Sequence, residues 1–325
     1  MRKSVHITKH IAIFVLYGLI IASLILPIFK NFHSHILGGE SIEDSIDRNG
    51  ENWYQWFTKK CVLEFDLGPL FQTDYIAYPL GKNLFFNMGG CLLQVFSIPF
   101  QMALELPASF NLFSLFLILL NAFFCFLLLS YLFPDTTAAF IGGLFFAINP
   151  YTIYQTNGGR PNLLALFWIP LVILFLFKIK NGPNRKYPII GALVLVLASL
   201  FYWYYGIFLV LFTMFFFVYF FMFGEQENTA FSKKIVLFLS IYGAIILALF
   251  LYPAIIKGIR PIGYELIKPF PLFQEIISKK APIYFEYMIT STSLHYIPHS
   301  FFTISLIIAV LSFLNIKSYK KTFFC

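Results

Sequence analysis

The chain reads as an all-α integral membrane protein of about eight transmembrane helices with a long first outer loop. Three observations predict this. Hydrophobic residues make up 59% of the 325 residues and charged ones only 12%, and the mean hydropathy is strongly positive, which excludes a soluble globular domain. Apolar runs recur at the length of about 17–25 residues that a helix needs to cross a hydrocarbon core of roughly 30 Å. Polar residues gather in a few links, above all between Lys30 and Leu106.

The runs lie at 11–29, 109–132, 138–155, 161–178, 188–204, 205–223, 235–256 and 301–316. The first is too long for a cleavable signal peptide, and no small-residue cleavage site follows Pro27 to Lys30. Pro150, after Asn149, interrupts the third, because proline lacks the amide proton that a helix interior requires. The 43 Phe fit a compositional bias laid over lipid-facing surface.

Charge placement sets the expected orientation. With the amino terminus inside, 12 of the 23 basic residues fall in short inner links against three acids, Asp135, Glu225 and Glu227. The other side then holds the remaining 11 basic residues and 12 of the 15 acids, an asymmetry that fits basic residues gathered in short inner links. The net charge of +8 is thereby explained without a nucleic-acid partner. The same bias excludes a span at Met88 to Leu104, which would turn Lys178, Lys180, Arg185 and Lys186 outward. That segment carries Gly89, Gly90, Gln94, Pro99 and Gln101, so a re-entrant or interfacial helix is expected.

The organisation is therefore a single multispan domain over 1–325 in the cell membrane, with both termini cytoplasmic. One outer loop covers 30–106 with its interfacial helices, and a second, proline-rich one covers 257–300. The chain reads equally as complete or as the amino-terminal part of a longer multispan protein. The Tyr202-Trp-Tyr-Tyr205 cluster falls where two spans meet on the outer side, as aromatic belts do. Cys61 and Cys91 lie in or beside the first loop, where they could pair.

The first loop holds the strongest chemical pattern. Glu40, Asp44, Asp47 and Glu51 are spaced by four, three and four residues, which puts four carboxylates on one helical face. Ile42, Ile46, Trp53, Trp56 and Phe57 fall opposite, so an amphipathic helix is expected on the outer leaflet with its aromatics in the interface. Like charges at these spacings repel. A divalent cation, Mg or Mn, could relieve the repulsion, as could a shared proton, or the face is simply solvated.

Further along, Asp74 and Lys82 flank the Tyr78-Pro-Leu-Gly81 turn, which is a connector or a phosphate-holding element. Arg160 sits at the outer start of a span, where it either clamps a phosphate or snorkels to the interface. Arg260 is a similar candidate in the second loop. His33, His35, His295 and His299 read as loop histidines without a ligand role. No span carries a mid-membrane charge, which argues against an ion-coupled transporter.

Several segments together carry a family resemblance. Asp47 is followed six residues later by Trp53-Tyr-Gln-Trp56-Phe57, and Thr73 to Leu84 leads to an interfacial proline-containing helix. Asn111 opens the second span, and Ala147-Ile-Asn-Pro-Tyr151 precedes Gly159-Arg-Pro-Asn-Leu163. The whole resembles bacterial multispan proteins of the GT-C glycosyltransferase architecture, including YfhO-related ones. The resemblance implies transfer of a sugar from a polyprenyl-phosphate donor at the outer face of the membrane. It carries the catalytic acid onto Asp47, with Asp44 and Glu51 as alternatives, and makes Asp47 and Asp44 the ligands of any metal. Arg160, Lys82, Asp74 and Arg260 are then the substrate-binding candidates. Arg160 stands where relatives often show a histidine. Two other readings are an envelope polysaccharide polymerase or ligase working through Arg160 and Arg260, and a non-catalytic homologue.

Overall fold

A computed structural model describes residues 2–24, 31–38, 42–68, 72–76, 82–83, 91–182, 184, 186–223 and 228–251. The chain divides into two units, Met1–Pro261 and Ile262–Cys325, and all described residues fall in the first. The last expected span, at 301–316, lies outside them, as does the second outer loop.

The elements in order are α1 (Arg2–Leu24), α2 (Ile42–Leu63), strands β1 (Gln72–Thr73) and β2 (Lys82–Asn83), α3 (Cys91–Ala103) and α4 (Ala108–Leu132). There follow α5 (Thr136–Ala147), α6 (Pro150–Asn157), α7 (Pro161–Leu164), α8 (Trp168–Asn181), α9 (Lys186–Phe201), α10 (Trp203–Phe223) and α11 (Asn228–Leu251). The protein is α-helical and membrane-embedded. Among the described residues, five segments are long and apolar enough to cross a bilayer: Ala108–Leu132, Thr136–Asn157, Pro161–Asn181, Trp203–Met222 and Phe231–Leu249. The expected runs at 11–29 and 188–204 correspond to shorter apolar helices, Thr8–Ser23 and Lys186–Phe201.

Two of the five crossing segments are broken helices, and each break is closed by side chains. Asn149 joins α5 to α6: its Nδ2 donates to Phe146 O at 2.6 Å, and its Oδ1 accepts from Thr152 N at 2.9 Å. One amide thus serves the last turn of one helix and the first turn of the next, with Pro150 at the position that needs no donor. Between α7 and α8 the backbone leaves the helical path at Ala165. Tyr205 Oη donates to Leu163 O at 2.9 Å and Asn121 Nδ2 to Leu164 O at 2.8 Å. Freed carbonyls at membrane depth must find such partners, since lipid offers none.

The largest core cluster joins α4, α8, α9 and α10 through Phe113, Leu117, Trp168, Leu195, Phe201 and Tyr205. A second joins α1, α4 and α5. Its centre is Tyr17, fully buried, whose hydroxyl donates to Phe140 O at 2.7 Å.

The bundle has a basic end. Lys9 Nζ donates to Thr136 Oγ1 at 2.9 Å, and Lys234 Nζ donates to Gly182 O at 2.7 Å, capping the carboxyl end of α8. At the other end Asn111, fully buried in the first turn of α4, holds the 31–38 segment with three hydrogen bonds. Its Nδ2 donates to Phe32 O at 2.9 Å and His35 O at 2.8 Å, and its Oδ1 accepts from Leu37 N at 2.8 Å.

At 13 residues α3 is about 20 Å long, too short to cross a bilayer. Its polar positions Gln94, Ser97 and Gln101, spaced three and four apart, are all buried. They face α2, which runs alongside α3 in the same direction: Gln94 meets Glu51, and Gln101 meets Gln55 and Lys59.

Candidate functional site

The amphipathic helix expected in the first outer loop is α2, but its faces are used differently from the expectation. Phe57 is buried within the protein, in a cluster with Cys61, Trp53, Tyr54 and Ile76, and does not lie in the lipid interface. Trp56 is exposed. Cys61 is a free buried thiol, and the side chain of Cys91 lies outside the described residues.

The amino-terminal half of α2 rests on the loop between α6 and α7. Arg160 Nε donates to Asp47 Oδ2 at 2.7 Å, and the guanidinium lies 5.6 Å from the centre of the Tyr154 ring. The guanidinium is mostly covered, whereas Asp47 is half exposed. Two glycines make this approach possible. Gly159 has φ +62°, and a Cβ there would lie 2.6 Å from Arg48 Cγ; a Cβ on Gly158 would lie 2.9 Å from the Arg160 guanidinium. A side chain at Gly159 would push against Arg48 of α2, and one at Gly158 would displace the Arg160 guanidinium.

One turn further along α2, Glu51 turns inward. Gln94 Nε2 donates to its Oε2 at 2.9 Å. Burial raises the carboxyl to about 7; the Gln94 hydrogen bond opposes the shift and the charge of Asp47 adds to it. The charge of Glu51 is in turn felt by Tyr54 and Tyr202. The site is therefore a carboxyl raised toward neutrality, beside a carboxylate–guanidinium pair, at the end of the bundle opposite Lys9 and Lys234.

Of the residues singled out in the sequence, Asp47, Glu51 and Arg160 are brought together. Asp47, expected as the catalytic acid, is engaged by Arg160 through Oδ2. Glu51, expected as an alternative, is the carboxyl that turns inward to Gln94. Asp74 and Lys82 belong to a hairpin in which Thr73 pairs with Lys82 and Gln72 with Asn83. Tyr75 of that hairpin packs on Phe57, with ring centres 5.3 Å apart, and accepts a hydrogen bond from Lys60. Phe57 is ten residues beyond Asp47, about 15 Å along the helix, so the hairpin docks away from Arg160.

Asp44 lies in the first turn of α2, its side chain outside the described residues. Glu40, Arg260, His295 and His299 are also outside them. His33 and His35 are exposed, and His35 Nδ1 is 2.8 Å from Ser34 Oγ. Among the described residues no three His, Cys, Asp or Glu side chains converge. Of the two expected metal ligands, Asp47 is held by Arg160 and the Asp44 side chain lies outside the described residues; no step below runs through a metal.

The sequence reading missed Gln94 as a partner of Glu51. Its signal was present, an amide inside an apolar segment, but was read only as unsuited to lipid. No family model matches the chain, nor does any curated protein or solved structure.

Proposed function

We propose that the chain is a membrane glycosyltransferase of GT-C type, taking its sugar from a polyprenyl-phosphate donor at the outer face of the membrane, with Glu51 as general base. The observation that carries this reading is Glu51 itself: a partly buried carboxyl raised to about 7, at the end of the bundle opposite Lys9 and Lys234. A base is most effective when its pKa lies near the working pH. The resemblance supplies the substrate class, and the positive-inside bias supplies the side. The reading extends the helix count to eight and keeps both termini inside.

In the proposed step the acceptor hydroxyl gives its proton to Glu51. The acceptor oxygen bonds to the anomeric carbon as the bond from that carbon to the phosphate oxygen breaks, and the electron pair leaves with the phosphate. Arg160, positioned by Asp47, offsets the charge developing on that phosphate.

The test is transfer from labelled polyprenyl-phosphate sugars in membranes holding wild type or Glu51→Gln. Wild-type transfer is expected to rise with pH through about 7, as the carboxylate forms. Glu51→Gln is expected to lose activity on the order of 100-fold or more, with membrane insertion unchanged. Transfer by Glu51→Gln at the wild-type rate would end this reading.

A further inference from the structure

The contact between α2 and α3 is a polar seam whose groups outnumber their partners. On α2, Glu51 and Lys59 both reach α3, Glu51 accepting from Gln94 and Lys59 donating to Gln101 O at 2.7 Å. Gln55 and Thr58 share that stripe by helical periodicity, four and seven residues beyond Glu51. Both are fully buried. Yet among the described residues neither Gln55 Nε2 nor Gln55 Oε1 has a hydrogen-bond partner, nor has Thr58 Oγ1 or, across the seam, Gln94 Oε1. Among the described residues Gln55 is the one side chain with both polar ends in this state.

Each buried polar atom left without a partner costs about 1–3 kcal/mol. Four in one helix pair is a large cost for a contact that apolar residues would make without it. The rest of the seam shows that polar pairing is available there. Gln101 Nε2 donates both to Gln55 O at 3.1 Å and to Ser97 Oγ at 2.8 Å, and Ser97 Oγ donates to Gln94 O at 2.7 Å. The unmatched atoms are a donor and acceptors of neutral character, together with a hydroxyl that can act as either. They lie one and two turns from Glu51.

We infer that the α2–α3 seam is a binding site for a neutral, hydroxyl-rich ring such as a sugar, entered when α2 moves off α3. Ring hydroxyls donate to Gln55 Oε1 and Gln94 Oε1, accept from Gln55 Nε2, and exchange either role with Thr58. The choice of a sugar rests on the glycosyltransferase reading above; the unpartnered atoms do not. With a ring seated there, Glu51 lies within a turn of its hydroxyls.

The test uses the full chain in lipid nanodiscs, as wild type, Gln55→Leu and Thr58→Val. Thermal unfolding is followed alone, with free monosaccharides, and with citronellyl-phosphate monosaccharides. Without ligand, both variants are expected to be as stable as wild type or more so, because the apolar side chains remove the unmatched atoms. At least one sugar should raise the wild-type Tm, and both variants should bind it about tenfold more weakly or worse. A shift with the phosphate-linked compounds alone assigns the seam to the donor ring; a shift with free sugars assigns it to the acceptor.

Loss of ligand-free stability in both variants would overturn the inference, since it would mean that structural partners or buried water already satisfy the seam. Unchanged sugar affinity in both variants, or no wild-type shift with any compound, would overturn it equally. If sugar binding depends on Gln55 but transfer does not depend on Glu51, the seam stands as a saccharide site and the catalytic reading falls.

Discussion

The transmembrane bundle and the α2–α3 cap treat polar groups in opposite ways. In the bundle, each helix break is matched by a side chain placed to repair it: Asn149 between α5 and α6, Tyr205 and Asn121 between α7 and α8. Its unpartnered side-chain atoms, such as Asn121 Oδ1 and Trp168 Nε1, come one to a residue. In the cap, Gln55 is unmatched at both ends, and a carboxyl sits near neutrality beside an ion pair. The bundle is arranged to stay as it is. The cap holds the unmatched and titratable groups, which is why the proposed chemistry is placed there.

That contrast breaks first at Asn111, where the bundle holds the start of the first loop. Asn111→Leu leaves Phe32 O, His35 O and Leu37 N without their partner. A loss of about 3 kcal/mol is expected, read as a lower Tm in nanodiscs and faster proteolysis of the 31–38 segment. An unchanged Tm would show that the loop is held elsewhere.

The ion pair gives a smaller effect and sharpens the comparison. Because Asp47 is half exposed, breaking the pair should cost only about 1 kcal/mol of stability. Its effect on activity should be larger, since Asp47→Asn leaves Arg160 unpositioned and removes a charge that raises the Glu51 carboxyl. The pH midpoint of transfer is therefore expected to move down in Asp47→Asn. A midpoint that stays in place would separate Asp47 from Glu51 and reduce the pair to a structural contact. Arg160→Lys should retain less activity than a charge count suggests, because a lysine cannot reproduce the Nε contact.

Much of this was legible in the sequence because the bilayer imposes strong rules. Run length located the described spans, and Asn149-Pro150 marked the α5–α6 break. The polar content of Met88 to Leu104 excluded a span, and α3 is indeed short. The three-four spacing of the acids placed Asp47 and Glu51 on one helix, and Arg160 was named as well. The pairing between them was not legible. Asp47 and Arg160 lie 113 positions apart, and periodicity along one helix says nothing about which distant loop its face will meet. The aromatic face misled for the same reason: an apolar stripe has the same pattern whether it meets lipid or, as at Phe57, another part of the chain. The inward turn of Glu51 depends on Gln94, which only a folded α2–α3 pair brings near.

The most direct measurement is an infrared titration of the protonated-carboxyl band, taken as wild type minus Glu51→Gln in nanodiscs. The raised carboxyl also sets a sign for stability: Glu51 binds its proton more tightly when folded, so its contribution is full below about 4.5 and is lost as pH rises through about 7. The difference band should titrate with a midpoint near 7, and wild type should lose more thermal stability than Glu51→Gln over the same rise. A midpoint in the ordinary glutamate range, with parallel stability profiles, would contradict the assignment of Glu51 as the poised group of the cap.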